Sequence, residues 1–275
     1  MYLNVKEKLS FRELIAVLVL FLFQLNPFTI TAQPVKKGED LYPLTILSYN
    51  LRFGELASLE QLAEYIKKEN PDIVALQEVD VKTNRPAVPH QNGKDFITEL
   101  GYHTGMLTAY AKTIDFSGGY YGIGILSKYP FIKTEKIMLP MIEGAKEQRA
   151  ALITDIELPE GKCFTFISTH LDHSTSEVRQ AQVKAINKAL KKKRHPMIIA
   201  GDFNGRPDSP EIKEGMKKWK QACNPDYTIP ADNPSAKIDY IFYKPSDRWK
   251  TVSSSTPSID LSDHLPVKVE IELYR

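Results

Sequence analysis

The sequence has 275 residues, 42% of them hydrophobic and 25% charged, with a formal net charge of +2. This is ordinary globular usage, and it excludes a wholly disordered chain, a collagen-like repeat and a polytopic membrane protein. Near-neutrality gives no sign of the basic face of a dedicated nucleic-acid binder, and two cysteines, Cys163 and Cys223, are too few for a disulfide framework and lack zinc-ligand spacing.

Lys6, Lys8 and Arg12 precede an apolar run at residues 14–25, too short for a mature membrane span, and Thr31-Ala32-Gln33 follows. Charged, apolar, then small residues in that order predict a secretory signal peptide over residues 1–32, cleaved after Ala32; an uncleaved membrane anchor is the other reading of the segment. An exported protein, periplasmic or secreted, is expected. Residues 33–43 read as a polar leader, and residues 44–275 as one domain.

The domain opens with a predicted strand at 44–50. Ser58 and Gln61 form a capping box for a helix whose Leu59, Leu62, Ala63 and Ile66 share a face, and Asn70-Pro71-Asp72 ends it. The short apolar run 73–76 predicts a buried strand. Further strands are predicted at 121–127, 150–157, 163–170, 197–203, 238–243, 251–256 and 267–273. A long helix is predicted over 176–193, and Ser209-Pro210 opens a third. Many strands with few helices between them predict packed sheets flanked by helices rather than one doubly wound sheet.

Several of these apolar runs end in a residue that can bind a metal or a phosphate. The first ends in Asn50, the second in Glu78, the strand near 167 in His170 with Asp172 beyond it, and the strand near 200 in Asp202 and Asn204. Asp239 interrupts another apolar stretch, and Asp263 and His264 precede the strand at 267–273. Singly, each has a structural explanation as turn residue, strand-end charge or cap. Together, at strand ends, they predict a loop-borne site. The oxygen donors suit Mg²⁺ or Mn²⁺ and the chemistry of phosphoester hydrolysis, with two histidines left for proton transfer and phosphate binding. Neither a serine elbow nor a Walker-type glycine loop is present.

The stretches LSYNLRFG, DIVALQEVD, GYYGIGILSKYPF, QRAAL, ISTHLDH, IIAGDFNGRPDSP, KIDYIFY and SDHLPVKVEI run in order across the mature domain. In them the chain resembles the endonuclease/exonuclease/phosphatase superfamily, whose best-known fold is that of deoxyribonuclease I. The resemblance implies an α+β, four-layer α/β sandwich: two mixed sheets face to face, helices outside, and the site at one end. It implies that Glu78 binds the metal, with Asn50 beside it and Asp263 close to the ion. Asp202 then orients or deprotonates the attacking water, and Asn204 positions it and contacts the phosphate. His170 hydrogen-bonds phosphate oxygens, and His264 is the second catalytic histidine, its imidazole held by Asp239. Tyr120 takes the place of a phosphate-contacting tyrosine, a role Tyr121 could also fill, and Arg149 is either a phosphate ligand or a surface strand arginine.

Within the superfamily the chain looks most like exported phosphodiesterases, some of which act on lipid or glycolipid diesters. The expected activity is therefore exported, divalent-metal-dependent phosphodiester hydrolysis, with lipid or glycolipid head groups as candidate substrates. A DNA or RNA nuclease is the alternative, and a non-catalytic binding module on the same fold a remote one. No obligate protein partner is evident, and a monomer is expected.

Overall fold

The structure is a computed structural model, and it describes residues 41–274; the predicted signal peptide and most of the leader lie outside the described residues. Among the described residues, twelve strands form two six-stranded sheets. In the first, β11 (Trp249–Ser255), β12 (Val267–Tyr274), β1 (Leu41–Asn50), β2 (Ile73–Val81), β4 (Gly119–Ser127) and β3 (Leu107–Phe116) lie side by side in that order. In the second the order is β5 (Phe131–Met138), β6 (Ala150–Glu157), β7 (Cys163–His170), β8 (Met197–Asp202), β10 (Asp239–Lys244) and β9 (Lys220–Gln221).

Both sheets are mixed, and each contains one parallel pair: β1 with β2 and β7 with β8. A helix connects the members of each pair, α1 (Leu59–Glu69) in the first sheet and α3 (Ser176–Ala189) in the second. This is the crossover that parallel neighbours require. Two further helices, α2 (Phe96–Thr104) and the single turn α4 (Pro210–Lys213), complete the outer layers.

Helix α1 forms as its sequence predicts. The Ser58 hydroxyl accepts the Gln61 backbone N–H at 3.2 Å, and the Gln61 side chain accepts the Ser58 N–H at 2.9 Å. Asn70 ends the helix in the left-handed conformation, φ 51°. The buried face of α1 (Leu59, Leu62, Ala63, Ile66) packs on Leu47, Tyr49, Val74 and Leu76, the outward residues of β1 and β2.

The alternate residues of these strands point between the sheets, where Leu44, Ile46, Ile73, Phe164, Phe166 and Ile198 share the main core. The edge-to-face contact of Phe164 with Trp249, centroids 5.7 Å apart, joins the two sheets at the end remote from Asn50. Close strand packing near the other end needs a glycine at 201, because a Cβ there would lie 1.9 Å from the Thr169 carbonyl oxygen.

The cysteines are unpaired. Four elements escaped the sequence analysis: β3, β5, β9 and α2. The β5 strand is a sheet edge with mostly exposed residues, and it shows no apolar face to read.

Candidate active site

The inter-sheet residues change character along each strand. In β1 they run Leu44, Ile46, Ser48, Asn50; in β7, Phe164, Phe166, Ser168, His170; in β8, Ile198, Ala200, Asp202. Apolar side chains fill the far end and hydrogen-bonding ones the near end, so the period of two carries a chemical gradient toward the carboxyl ends of the parallel pairs. Register then aligns them. His170 stands beside Asp202 in the β7–β8 ladder, and Asp239, at the start of antiparallel β10, stands on its other side.

Glu78 arrives by a different device. A β-bulge interrupts the β2–β4 pairing between Leu76 and Val79, and Glu78 takes φ 57°. The irregularity turns its carboxylate to Asn50, whose Nδ2 donates to Glu78 Oε1 at 3.1 Å. Asn204 also has a positive φ, 49°, which places it in the turn after β8. Strained non-glycine residues are expected where a surrounding structure holds a site in place.

The centre of the arrangement is one oxygen, Asp202 Oδ2. Asn50 Nδ2 donates to it at 3.2 Å across the two sheets, His170 Nε2 lies 3.4 Å away and His264 Nε2 3.8 Å away. The other oxygen, Oδ1, accepts the Asn204 backbone N–H at 2.8 Å. His264 Nδ1 is 2.9 Å from Asp239 Oδ2. The Ser262 hydroxyl donates to the Asn50 carbonyl at 2.7 Å and ties the segment before β12 to the end of β1. Asn204 Nδ2 donates to the Leu171 carbonyl at 2.9 Å, joining the loops after β7 and β8.

Burial raises the pKa of Glu78, in spite of the hydrogen bond from Asn50. Burial and then the neighbouring Asp239 raise that of Asp202. For His264, burial acts downward, but the charge and hydrogen bond of Asp239, with Asp202 behind it, prevail and raise the pKa. His170 is driven the opposite way, well below the ordinary histidine value, by burial and then by the Arg149 charge.

Glu78, Asn50, His170, Asp202, Asn204, Asp239 and His264 are therefore brought together. Asp263 lies close enough to Glu78 to raise its pKa, and its carboxylate is paired with Arg52. Tyr120 is a correction. Successive strand residues face opposite ways, and Tyr120 points outward, 44% exposed, with Lys112 Nζ 4.3 Å from its ring centroid. Tyr121 is the tyrosine of the site, 7% exposed in a cleft of about 280 Å³ that Glu78, Phe53, Phe116, Arg149 and His173 also line. Arg149 is not a surface arginine. It is 4% exposed, and its Nη1 reaches Glu147 Oε1 at 2.9 Å and His170 Nδ1 at 3.0 Å.

Asp172 is structural. Its Oδ2 accepts the backbone N–H groups of Lys146 and Glu147, at 3.0 and 3.1 Å, and its Oδ1 accepts that of Ser174 at 2.8 Å. Sequence reasoning missed Arg52, Arg85 and Glu147. Arg85 forms a two-point pair with Asp80, at 2.6 and 3.0 Å, and its guanidinium lies 4.0 Å from the Phe53 and 4.2 Å from the Phe116 ring centroids. Arg52 falls inside a quoted motif, and that was the signal available for it. Arg85 and Glu147 lie in loops with no apolar periodicity to mark them.

Two mixed sheets thus face each other and gather carboxylates and histidines at one end. Residues 47–264 match the model of the Endonuclease/Exonuclease/phosphatase family, and the chain belongs to that family. Its members hydrolyse phosphoester bonds and include nucleases and phosphatases.

The chain is 27% identical over 190 residues to exodeoxyribonuclease III of Haemophilus influenzae, covering 64% of each protein. It is 31% identical over 134 residues to a UPF0294 protein of Vibrio campbellii, covering 46% of this chain and 45% of that protein. It thus spans less than two thirds of the length of either curated relative. Among solved structures, an endonuclease/exonuclease/phosphatase from Bacteroides vulgatus superposes with a TM-score of 0.70 at 21% identity, over 84% of this chain and 99% of that one. A mannosyl-6-phosphatase from Bacteroides thetaiotaomicron gives 0.67 at 18% identity, over 83% and 99%. These two similarities establish the fold.

Proposed function

We propose that the protein is an exported, divalent-metal-dependent phosphodiesterase that cleaves lipid or glycolipid head groups with an activated water. The observation that carries the chemistry is the ring of Asn50, His170 and His264 nitrogens around Asp202 Oδ2. In this reading Asp202 takes the proton of the attacking water, which Asn204 helps to place. His170 donates to a phosphate oxygen, and His264, held by Asp239, serves the leaving group.

The donor set fits a hard cation. Buried Asp202 and Asp239 and half-buried Glu78 put three carboxylates in one place, and no cysteine stands among them. Glu78 and Asn50, with Asp263 beside them, would hold Mg²⁺ or Mn²⁺; Asp202, Asp239 and His264, whose ligand atoms lie within 4.8 Å of one another, form a further group able to do so. Such an ion supplies charge neutralisation at the phosphate.

A groove of about 690 Å³ on the Asp263 flank supports a compact substrate. Asp232, Asp260 and Asp263 line it with Arg52, and a long phosphate backbone crossing it would meet like charge. Similarity to an exodeoxyribonuclease favours a nuclease as the second reading.

A substrate panel tests these readings: bis-p-nitrophenyl phosphate, p-nitrophenyl phosphate, sphingomyelin, phosphatidylinositol and plasmid DNA, each with Mg²⁺, with Mn²⁺ and with EDTA. The expected result is diester hydrolysis that EDTA abolishes and Mg²⁺ or Mn²⁺ restores. DNA cleavage outrunning every lipid diester would replace the phosphodiesterase with a nuclease. Export is tested separately by N-terminal sequencing, with Gln33 expected first.

A further inference from the structure

We propose that Arg149 is a positioning residue that holds the His170 ring with Nδ1 as the acceptor and the proton on Nε2. Arg149 brings a guanidinium to this contact. It carries five N–H donors, has no acceptor and stays charged at all accessible pH. Its Nη1 lies 3.0 Å from His170 Nδ1, so Nδ1 must offer a lone pair and the ring proton belongs on Nε2. An imidazolium would set an N–H against an N–H and a cation against a cation, with both residues only 4% exposed.

The guanidinium is itself braced. Glu147 Oε1 holds it at 2.9 Å, and the Glu147 backbone N–H is bound by Asp172 Oδ2 at 3.1 Å. Asp172 in turn follows His170 by two residues, and its own N–H donates to Gln182 of α3 at 2.9 Å. The chain of contacts closes on itself, from Asp172 through Glu147 and Arg149 back to His170.

The same ring nitrogen has the opposite role in the second histidine. Nδ1 of His264 faces the carboxylate of Asp239, an acceptor, so it must be the protonated one there. One site therefore holds two histidines with opposite partners on the same atom. The His170 Nε2–H is aimed at the interior of the site, 3.4 Å from Asp202 Oδ2, too long for a strong hydrogen bond. Resting on the phosphodiesterase reading, this makes His170 a fixed donor to a phosphate oxygen that takes no part in moving the reaction's proton.

The test reads the proton directly. The mature protein, labelled with ¹⁵N in its histidines, is examined by long-range ¹H–¹⁵N correlation near neutral pH, with His170 assigned from a His170→Gln spectrum. His170 is expected to carry a proton on Nε2 alone. In Arg149→Met, which keeps the stem and removes the donor, the pattern is expected to shift toward Nδ1 protonation, with kcat falling about 10–100-fold. If that variant does not fold, Glu147→Gln/Arg149→Met also removes the carboxylate left without its partner.

A wild-type proton on Nδ1, or on both nitrogens, overturns the proposal, and so does a pattern unchanged in a folded variant lacking Arg149. Because the spectrum needs no turnover, a protein inert on the whole substrate panel but protonated at Nε2 would sink the phosphodiesterase reading and leave the role of Arg149 standing.

Discussion

His264 and Asp239 form the part of the site in which a bland structural role and a chemical one diverge most sharply. They touch at 2.9 Å, both buried, and Asp239 is the dominant cause of the raised histidine pKa. If they work as one unit on the phosphate, His264→Ala should lower kcat by about 10²–10⁴ with little change in KM. Asp239→Asn should act in the same direction, since an amide can hold the ring but cannot stabilise its charge. The double variant should be little worse than His264→Ala alone; kcat on one diester, with circular dichroism as a folding control, decides it, and strictly additive losses would mean the two are not paired. They stood out in the sequence because Asp239 interrupts an apolar run and His264 directly precedes one, each inside a quoted motif. Tyr120 and Tyr121 were not separable in sequence, because both sit in one strand and a shift of a single residue exchanges the inner face for the outer. The Arg149–His170 contact was invisible for another reason: it joins residues 21 apart through side-chain geometry alone.

Strands and helices that bury a face were readable from their periodicity, and β1, β4, β6, β7, β8, β10, β11 and β12 fall close to their expected positions, while β2 runs on to Val81, past the apolar run 73–76. The loops between them were not, and the loops do much of the bracing. Asp172 shows how. Burial alone would raise its pKa, but hydrogen bonds from Ser174, Glu147 and Lys146 outweigh that and bring it down to about 2. A carboxylate depressed in the folded state stabilises the fold above its unfolded pKa of about 3.9 and loses that contribution as pH falls through the folded value. Asp172→Asn should therefore cost about 2 kcal/mol at pH near 6, and the gap to wild type should close between about pH 4 and pH 2. Urea unfolding of both proteins across that range tests it; a gap that stays constant would mean the carboxylate charge is not what ties the loop at Lys146 and Glu147 to the end of β7.

For the molecule as a whole, the buried carboxylates predict that cation binding and stability are linked. An ion that binds the folded chain alone adds about 2.7 kcal/mol at a concentration 100 times its Kd. Mg²⁺ or Mn²⁺ should raise the melting temperature of the wild type, and Glu78→Gln should lose most of that rise while keeping the fold; an equal rise in both would move the ion away from Glu78. The pairing of β1 with β12 has a consequence of another kind. Asn50 is among the first residues of the domain to be synthesised, yet Ser262, which binds its carbonyl, follows 212 positions later, and Asp202 follows 152 positions later. The cluster around Asp202 therefore cannot exist on a partly made chain, whatever its early segments have already folded into. A growing polypeptide keeps these side chains apart until β12 slots in beside β1, so completing the sheet and assembling the cluster are one event.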